Sequence, residues 1–318
     1  MQAGGADVVS PKLPGSYKYT YRRSRISCNM ATTRVCAGQP RISVNIKKIP
    51  AAAFFAAVPL FCLAQTKPAL PAASSVQAPA LHPWQAPSRQ GTADAYFVNL
   101  DDGASIETPF RLAFGLAGGW GLAPISSPSA GKSGHHHLLV NRDLPLDFKK
   151  ALPFSDQYIH FGKGQMETVL TLEPGTYTLR LLLADDKHLP HFVYSKPIKI
   201  TVTRKNKDLD PKSLVKKGIS LQNLSADAKL SSPFKVGFHA SGLNVAHLSQ
   251  KEKDTGHFRL TVTPQGGGKP AELDFVNGQT EVWLSPPPGA YALKLDLLDN
   301  ANPGKTLVDS ITLPVRVQ

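Results

Sequence analysis

The chain has 318 residues, a formal net charge of +13 and three cysteines. Residues 1–64 hold nine Lys or Arg and one Asp, which leaves a charge of about +5 for residues 65–318. A nucleic-acid-binding function, which a basic surface would favour, therefore loses its main support. Because Cys28, Cys36 and Cys62 all precede residue 65, the rest of the chain has no disulfide and no thiolate ligand for blue-copper, zinc-thiolate or iron–sulfur sites.

The front of the chain has the layout of a secretory signal peptide. Lys47 and Lys48 precede an uncharged apolar run over residues 49–63, and Ala64 supplies a small residue for cleavage. Residues 1–64 are therefore predicted to be a leader. The protein is expected in the periplasm of a Gram-negative bacterium or secreted, with no stable membrane span after cleavage. An uncleaved anchor is the alternative interpretation.

Two segments around this signal have no predicted fold. Residues 1–46 do not suit a signal peptide, and a true start at Met30 or Val44 would account for them. Residues 65–94 are rich in Ala, Pro, Gln and Ser. This composition is typical of a flexible, disordered tether.

Four sequence blocks recur in the same order along the remaining chain. The matched blocks are 108–114 with 232–238, 134–140 with 256–262, 161–165 with 275–279, and 174–179 with 288–293. The chain is therefore predicted to hold two copies of one domain, each of an ordinary size for a unit with its own core. Repeat one spans 95–203 and repeat two spans 218–317. A charged linker, 204–217, joins them and is expected to be solvated.

Both repeats show the alternation of half-buried strands. In repeat one Phe110, Leu112, Phe114 and Leu116 point one way, and the same period of two recurs in repeat two. Turn signals such as Pro174-Gly175 separate these segments at spacings typical of a sandwich. The predicted fold class is all-β, with two tandem immunoglobulin-like β-sandwich domains that fold independently.

Repeat one carries a run of three histidines, of which repeat two keeps only the first, as His257. Alignment places His136 opposite Phe258, which predicts that His136 points to the core and is hydrogen-bonded there. His135 and His137 then share the other face of the strand. Residues two apart on a strand lie about 7 Å apart, close enough for both imidazoles to tilt onto one ion.

Further ligands must come from histidines later in repeat one. His160, His188 and His191 are the candidates, and repeat two has Asp274, Asn302 and Lys305 in their places. Their joint absence from one copy indicates a shared role. The predicted site, for Zn or Cu, comprises His135, His137, His160, His188 and His191. The alternative is a hydrogen-bonded structural cluster in a non-catalytic interaction or structural module of the cell envelope.

The sequence offers little support for an enzyme. It contains neither a His-Glu-x-x-His nor a Gly-x-Ser-x-Gly motif, so no catalytic or cofactor-binding residue is predicted. A catalytic centre would need a base beside the histidines, for which Asp185 or Asp186 is available. His82, His239 and His247 are interpreted as isolated surface residues. The expected partner is an envelope protein or a small ligand.

Three ordered motifs of repeat one resemble a known bacterial family. They are Gly134-His135-His136-His137-Leu138-Leu139, His160-Phe161-Gly162-Lys163-Gly164-Gln165 and Asp185-x-x-His188-x-Pro190-His191. They are similar to the domain-of-unknown-function family numbered 4399, over the whole of repeat one. The resemblance implies a small exported envelope protein and supports the domain limits. Repeat two resembles the scaffold but departs from the family at nearly every histidine.

Overall fold

The computed structural model describes residues 81–87, 94–126, 131–145 and 147–318. The predicted leader, 1–64, and most of the predicted tether lie outside the described residues. Within them nearly all regular structure is β, and the one helical element is a 3-10 helix, Pro211–Leu214. No helix in this part of the chain is long and apolar enough to cross a membrane.

Repeat one is a sandwich of a small and a large sheet. After β1 (Gln85–Ala86), its strands are β2 (Ala95–Phe97), β3 (Ser105–Thr108), β4 (Phe110–Leu116), β5 (Gly121–Leu122), β6 (Ser133–Val140), β7 (Tyr158–His160), β8 (Glu167–Leu170), β9 (Gly175–Ala184), β10 (Pro190–Tyr194) and β11 (Ile198–Lys205). The small sheet has the order β2-β4-β8, and the large one β3-β11-β9-β6-β5. In the large sheet β7 also pairs with β6, and β10 pairs with β9.

Repeat two has the same topology. Its strands are β12 (Gly218–Gln222), β13 (Ala228–Leu230), β14 (Phe234–Ser241), β15 (Asn244–Val245), β16 (Thr255–Pro264), β17 (Ala271–Asp274), β18 (Glu281–Leu284), β19 (Gly289–Asp299) and β20 (Ile311–Val317). Its sheets run β1-β18-β14-β12 and β13-β20-β19-β16-β15, with β17 paired to β16. The strand pairings of the two repeats match, except that β10 has no counterpart in repeat two and the edge strand β1 has none in repeat one. The prediction of two tandem immunoglobulin-like sandwiches is confirmed.

The alternation read from the sequence builds the core of repeat one. Leu112 and Phe114 on β4 are fully buried and pack against the inner face of the large sheet. Strand β6 departs from the simple pattern because all eight of its residues are buried. Its outer face is covered by a segment comprising residues 144–145 and 147–158, which packs Leu152 against Leu139. The second face of β6 is therefore enclosed rather than open to solvent.

The repeats share apolar contacts. Leu116, Leu122 and Met166 of repeat one belong to the same buried cluster as the core of repeat two. Two backbone hydrogen bonds cross the contact in matching positions: Leu122 N–H donates to Gly278 O at 2.9 Å, and Val245 N–H donates to Gly164 O at 2.9 Å. This shared core argues against the expectation that the repeats fold independently, because separating them would expose part of it.

Two segments outside the sandwiches can be compared with their predictions. The tether prediction is wrong for residues 81–87, because β1 pairs antiparallel with β18 and adds an edge strand to repeat two. Backbone hydrogen bonding and packing of Trp84 on repeat two order this stretch despite its composition. None of the residues 204–217 is buried, which agrees with the solvated linker expected there.

Candidate metal centre

Strand β6 presents its histidines on two faces. His136 points inward, where its ring lies 5.4 Å from that of Phe114 and beside Leu138 and Val140, as alternation predicts. His135 and His137 point outward, and their ring centroids are 4.7 Å apart. Both are only 1 % exposed, because the covering segment closes over this face. The expected hydrogen bond of His136 is missing at its Nδ1, which is buried without a partner.

Strand β7 brings the third imidazole to this outward face. It pairs antiparallel with β6 so that His160 lies directly opposite His137. Directly opposed residues on paired strands have their side chains on the same face of the sheet. The ring centroids of His160 and His137 are 5.2 Å apart, and those of His160 and His135 are 4.7 Å apart.

The fourth imidazole, that of His188, comes from the loop between β9 and β10. The Asp185 carboxylate accepts hydrogen bonds from the backbone N–H groups of Lys187 and Leu189, at 2.9 and 2.8 Å. His188 itself has a left-handed backbone with φ 62°, which is uncommon outside glycine. Its carbonyl accepts a hydrogen bond from the Leu152 N–H at 2.9 Å, which fastens the loop to the covering segment. The hydrogen bonds thus hold a strained residue in place.

The four side chains His135, His137, His160 and His188 converge on one point. All six distances between their ring centroids fall between 4.7 and 5.6 Å. One ring nitrogen from each lies within 4.8 Å of the other three. The Nε2 atoms of His160 and His188 are 3.2 Å apart. Nitrogens around a tetrahedral zinc with Zn–N bonds of about 2.0–2.1 Å would be roughly 3.3–3.4 Å apart, so small movements complete the geometry.

The environment keeps three of these imidazoles, those of His135, His137 and His160, neutral, which is the ligand form. Burial, and then repulsion from His137, His160 and His188, lowers the pKa of His135 to about 2. Burial followed by the neighbouring imidazoles lowers the pKa of His137 to about 3. The pKa of His160 is also lowered, first by burial and then by His188. At neutral pH these three rings therefore present lone pairs without having to release protons.

Three of the four ring nitrogens of the buried pair, His135 and His137, lack hydrogen-bond partners. Both ring nitrogens of His135 and the Nδ1 of His137 are buried and have none within the protein. Burying a polar group in that state costs about 1–3 kcal/mol. A metal ion at the point of convergence would remove part of this cost by accepting a lone pair from each ring, so the donor set fits a transition metal that prefers imidazole.

One predicted ligand does not join the group. His191 lies on β10, where its ring packs 4.7 Å from that of Trp120. Its Nε2 is buried without a partner, but His191 is not among the four converging side chains. Their positions in the chain explain the difference. His188 lies in the loop over the outward face, whereas His191 lies three residues later, within strand β10.

The interpretation of His239 as an isolated surface residue is wrong. It is 2 % exposed, and its Nε2 lies 2.9 Å from Glu167 Oε2 across the contact between the repeats. Ser241 donates to the other carboxylate oxygen at 2.7 Å. Burial opposes ionisation of Glu167, but these hydrogen bonds and Arg111 hold its pKa below the ordinary value. The error arose because the sequence does not reveal which strand faces the other repeat.

Two features of the site were missed by sequence reasoning. Phe154 is 66 % exposed, and its ring packs edge-on against those of His188 and His160, at 4.7 and 5.3 Å, on the rim of the cluster. Gly162 leaves the space into which the His160 ring folds. The sequence does carry a signal for the second feature, because repeat two has Val276 at the position that Gly162 occupies in repeat one. No pattern in the sequence pointed to Phe154.

These observations define a tandem immunoglobulin-like β-sandwich protein whose first sandwich holds a four-histidine cluster. The sequence pattern of the family described as "Domain of unknown function (DUF4399)" matches residues 112–203 and 236–318. The matched regions cover more than half of the chain and fall one in each sandwich. The chain therefore belongs to this family, as the motifs predicted, and carries its domain twice.

Comparison with solved structures returns distant likenesses. The fibronectin(III)-like modules of Clostridium thermocellum CbhA match at a TM-score of 0.23 and 11% identity, covering 70% of this chain and 94% of that one. A two-domain fibronectin type-III segment of chicken tenascin matches at a TM-score of 0.20 and 14% identity, covering 70% and 97%. No curated protein sequence matches the chain.

Proposed function

We propose that the protein is an exported bacterial envelope protein whose first repeat binds one Zn²⁺ or Cu²⁺ ion through His135, His137, His160 and His188. The observation that carries the proposal is the convergence of four ring nitrogens within 4.8 Å of one another. Imidazole suits both metals, and tetrahedral coordination is the preferred arrangement for zinc.

The hydrogen-bonded structural cluster is the competing function, and one contact favours it. The Nε2 atoms of His160 and His188 are 3.2 Å apart, so one neutral ring can donate to the other. The same account does not cover His135, because both of its ring nitrogens lack partners while the ring is buried. A cluster built for structure alone would be expected to satisfy its most buried member. The orphaned nitrogens therefore favour the metal.

The number of protein ligands also indicates which kind of metal site this is. Four protein ligands fill a tetrahedral shell, which is typical of structural or storage zinc sites, whereas catalytic zinc keeps a position open for water. The pKa values of His135, His137 and His160 are shifted by burial and by other imidazoles, with no carboxylate among the causes. Among the described residues, the converging group consists of histidines alone, with no Asp or Glu, and we propose binding rather than catalysis.

The experiment is elemental analysis and calorimetric titration of tag-free protein beginning near residue 65. We expect one zinc or copper per chain. His137→Ala should abolish tight binding, because it removes a buried ligand. His247→Ala is the matched control, since that histidine is partly exposed and bonds only Ser249 through its ring. Equal binding by both variants, or a metal-free wild-type protein that takes up neither ion, would overturn the proposal.

Export rests on a separate observation, the signal layout over residues 47–64. We expect a mature protein that begins near Gln65 in the periplasmic fraction of the native host. Mass spectrometry of the intact protein measures this directly. A chain that retains residues 47–64 in the cytosolic fraction would contradict export without bearing on metal binding.

A further inference from the structure

Gly162 lies two residues after His160, where the chain leaves β7 and enters a turn. The imidazole of His160 folds back over it. A Cβ placed on Gly162 would lie 2.4 Å from both Cε1 and Nε2 of His160, far inside van der Waals contact. The present position of the His160 ring, with its Nε2 3.2 Å from that of His188, is therefore compatible only with glycine at position 162.

We propose that Gly162 is a positioning residue of the metal centre: the missing side chain is what lets His160 turn toward the other three imidazoles. This inference rests on the proposed function and adds a residue that is not itself a ligand. It also assigns a role to one glycine of the Phe161-Gly162-Lys163-Gly164-Gln165 block that the fold does not require.

The backbone does not explain why position 162 is glycine. Gly164, two residues later, has φ 85°, and a Cβ there would lie 2.2 Å from the Val245 carbonyl oxygen. Gly164 is thus needed by the fold and by the contact between the repeats. Gly162 has no such left-handed φ, and apart from the His160 ring the nearest atom to its Cβ is Ile125 Cγ1, at 3.3 Å.

Repeat two supplies an internal comparison. Its counterpart of Gly164 is Gly278, again with positive φ (76°), whereas its counterpart of Gly162 is Val276. The counterpart of His160 in the same copy is Asp274, which turns to Arg259 instead of folding over the turn. Glycine at this position therefore accompanies the imidazole and is absent where the imidazole is absent.

Gly162→Ala in the chain beginning near residue 65 is the test. The clash involves the far end of a side chain, so we expect the His160 ring to move while the fold remains. Zn²⁺ affinity should fall roughly 10- to 100-fold, the range seen when a support of a metal ligand is removed. Gly266→Ala is the matched control, because nothing lies within 4 Å of its Cβ and its φ is not left-handed. Equal Zn²⁺ affinity in the Gly162→Ala and Gly266→Ala variants would overturn the role.

A double-mutant cycle separates this role from general damage to the turn. In a His160→Ala background the ring that clashes is gone, so adding Gly162→Ala should leave Zn²⁺ affinity and the urea midpoint unchanged. If Gly162→Ala lowers either one equally with and without His160, the glycine serves the turn and not the ligand, and the inference is wrong.

A metal-free readout distinguishes failure of this inference from failure of the proposed function. NMR signals of the His160 and His188 imidazoles in the metal-free protein should shift in Gly162→Ala, while those of His247 stay in place. Should wild-type protein bind no zinc or copper and these signals still shift, the positioning of His160 stands and the proposed metal function falls. Unchanged imidazole signals would overturn the positioning role whatever the metal result.

Discussion

The same pair of strands carries different chemistry in the two repeats. In repeat one β6 and β7 place His137 opposite His160, and the pair contributes half of the four-histidine cluster. In repeat two β16 and β17 place Arg259 opposite Asp274 in the same register. The Arg259 guanidinium donates to both Asp274 carboxylate oxygens, at 2.6 and 2.9 Å. One backbone ladder thus supports either an imidazole cluster or an ion pair.

The first histidine of the run also differs between the repeats in its hydrogen bonding. His257, the counterpart of His135, is buried like it, but its Nδ1 lies 2.6 Å from the Asn300 Oδ1 and is satisfied there. His135 has no such partner. The fold therefore does not require unpartnered histidines at these positions, since repeat two satisfies or replaces them. At the positions of the cluster, unsatisfied nitrogens therefore occur in repeat one and not in repeat two, which is what a binding site in repeat one would need.

The largest expected effect that sharpens this comparison concerns acid stability. Burial lowers the pKa of His136 to about 3, whereas an unfolded chain takes up its proton near pH 6.5. Between these values the unfolded state holds the extra proton, so stability falls as the pH drops, by about 1.4 kcal/mol per pH unit for this residue. Repeat two has Phe258 at the equivalent place, where its ring packs at a tilt against that of Phe238, as the ring of His136 does against that of Phe114.

His136→Phe should therefore remove one acid-sensitive group without emptying the core. Urea unfolding of the metal-free protein at pH 7 and pH 4.5 measures the effect. The wild-type protein should lose about 2.5 kcal/mol more than the variant over that interval. Equal losses in the two proteins would mean that His136 is already protonated or hydrogen-bonded in the fold, and the parallel with Phe258 would fail.

A smaller effect is expected from transferring the site to repeat two. Arg259→His and Asp274→His, added to the native His257, give three imidazoles in the register of His135, His137 and His160. In a His137→Ala background, which silences repeat one, we expect weak Zn²⁺ binding measurable by competition with a chromophoric chelator. Three ligands without the loop histidine should bind less tightly than the native four.

Adding Val276→Gly to this variant should strengthen its binding, because a histidine at position 274 needs the space that Gly162 provides in repeat one. The matched control is Val276→Gly alone in the same background, which should bind no Zn²⁺. If the protein with all three substitutions still binds no Zn²⁺, histidines at matching strand positions are not sufficient for a site. The difference between the repeats then depends on the loop that carries His188.

Much of the site could be predicted from the sequence, because the alternation of side chains along a strand determines which residues share a face. Alternation along a strand fixes which neighbours share a face, so His136 could be assigned to the core and His135 with His137 to the opposite face. The internal duplication supplied the scaffold for comparison and located the sandwiches. It also separated glycines kept in both copies, such as Gly134 and Gly256, from the histidines kept in one.

Tertiary structure decided what alternation leaves open. The choice of His188 over His191 depends on a loop held by Asp185 and a left-handed residue, whose course the sequence does not specify. The burial of His239 depends on how one sandwich meets the other. The enclosure of the outer face of β6 depends on residues 147–158 folding over it. Each of these three features depends on contacts between residues far apart in the chain. Strand periodicity does not encode such contacts, because it describes only which residues of one strand share a face.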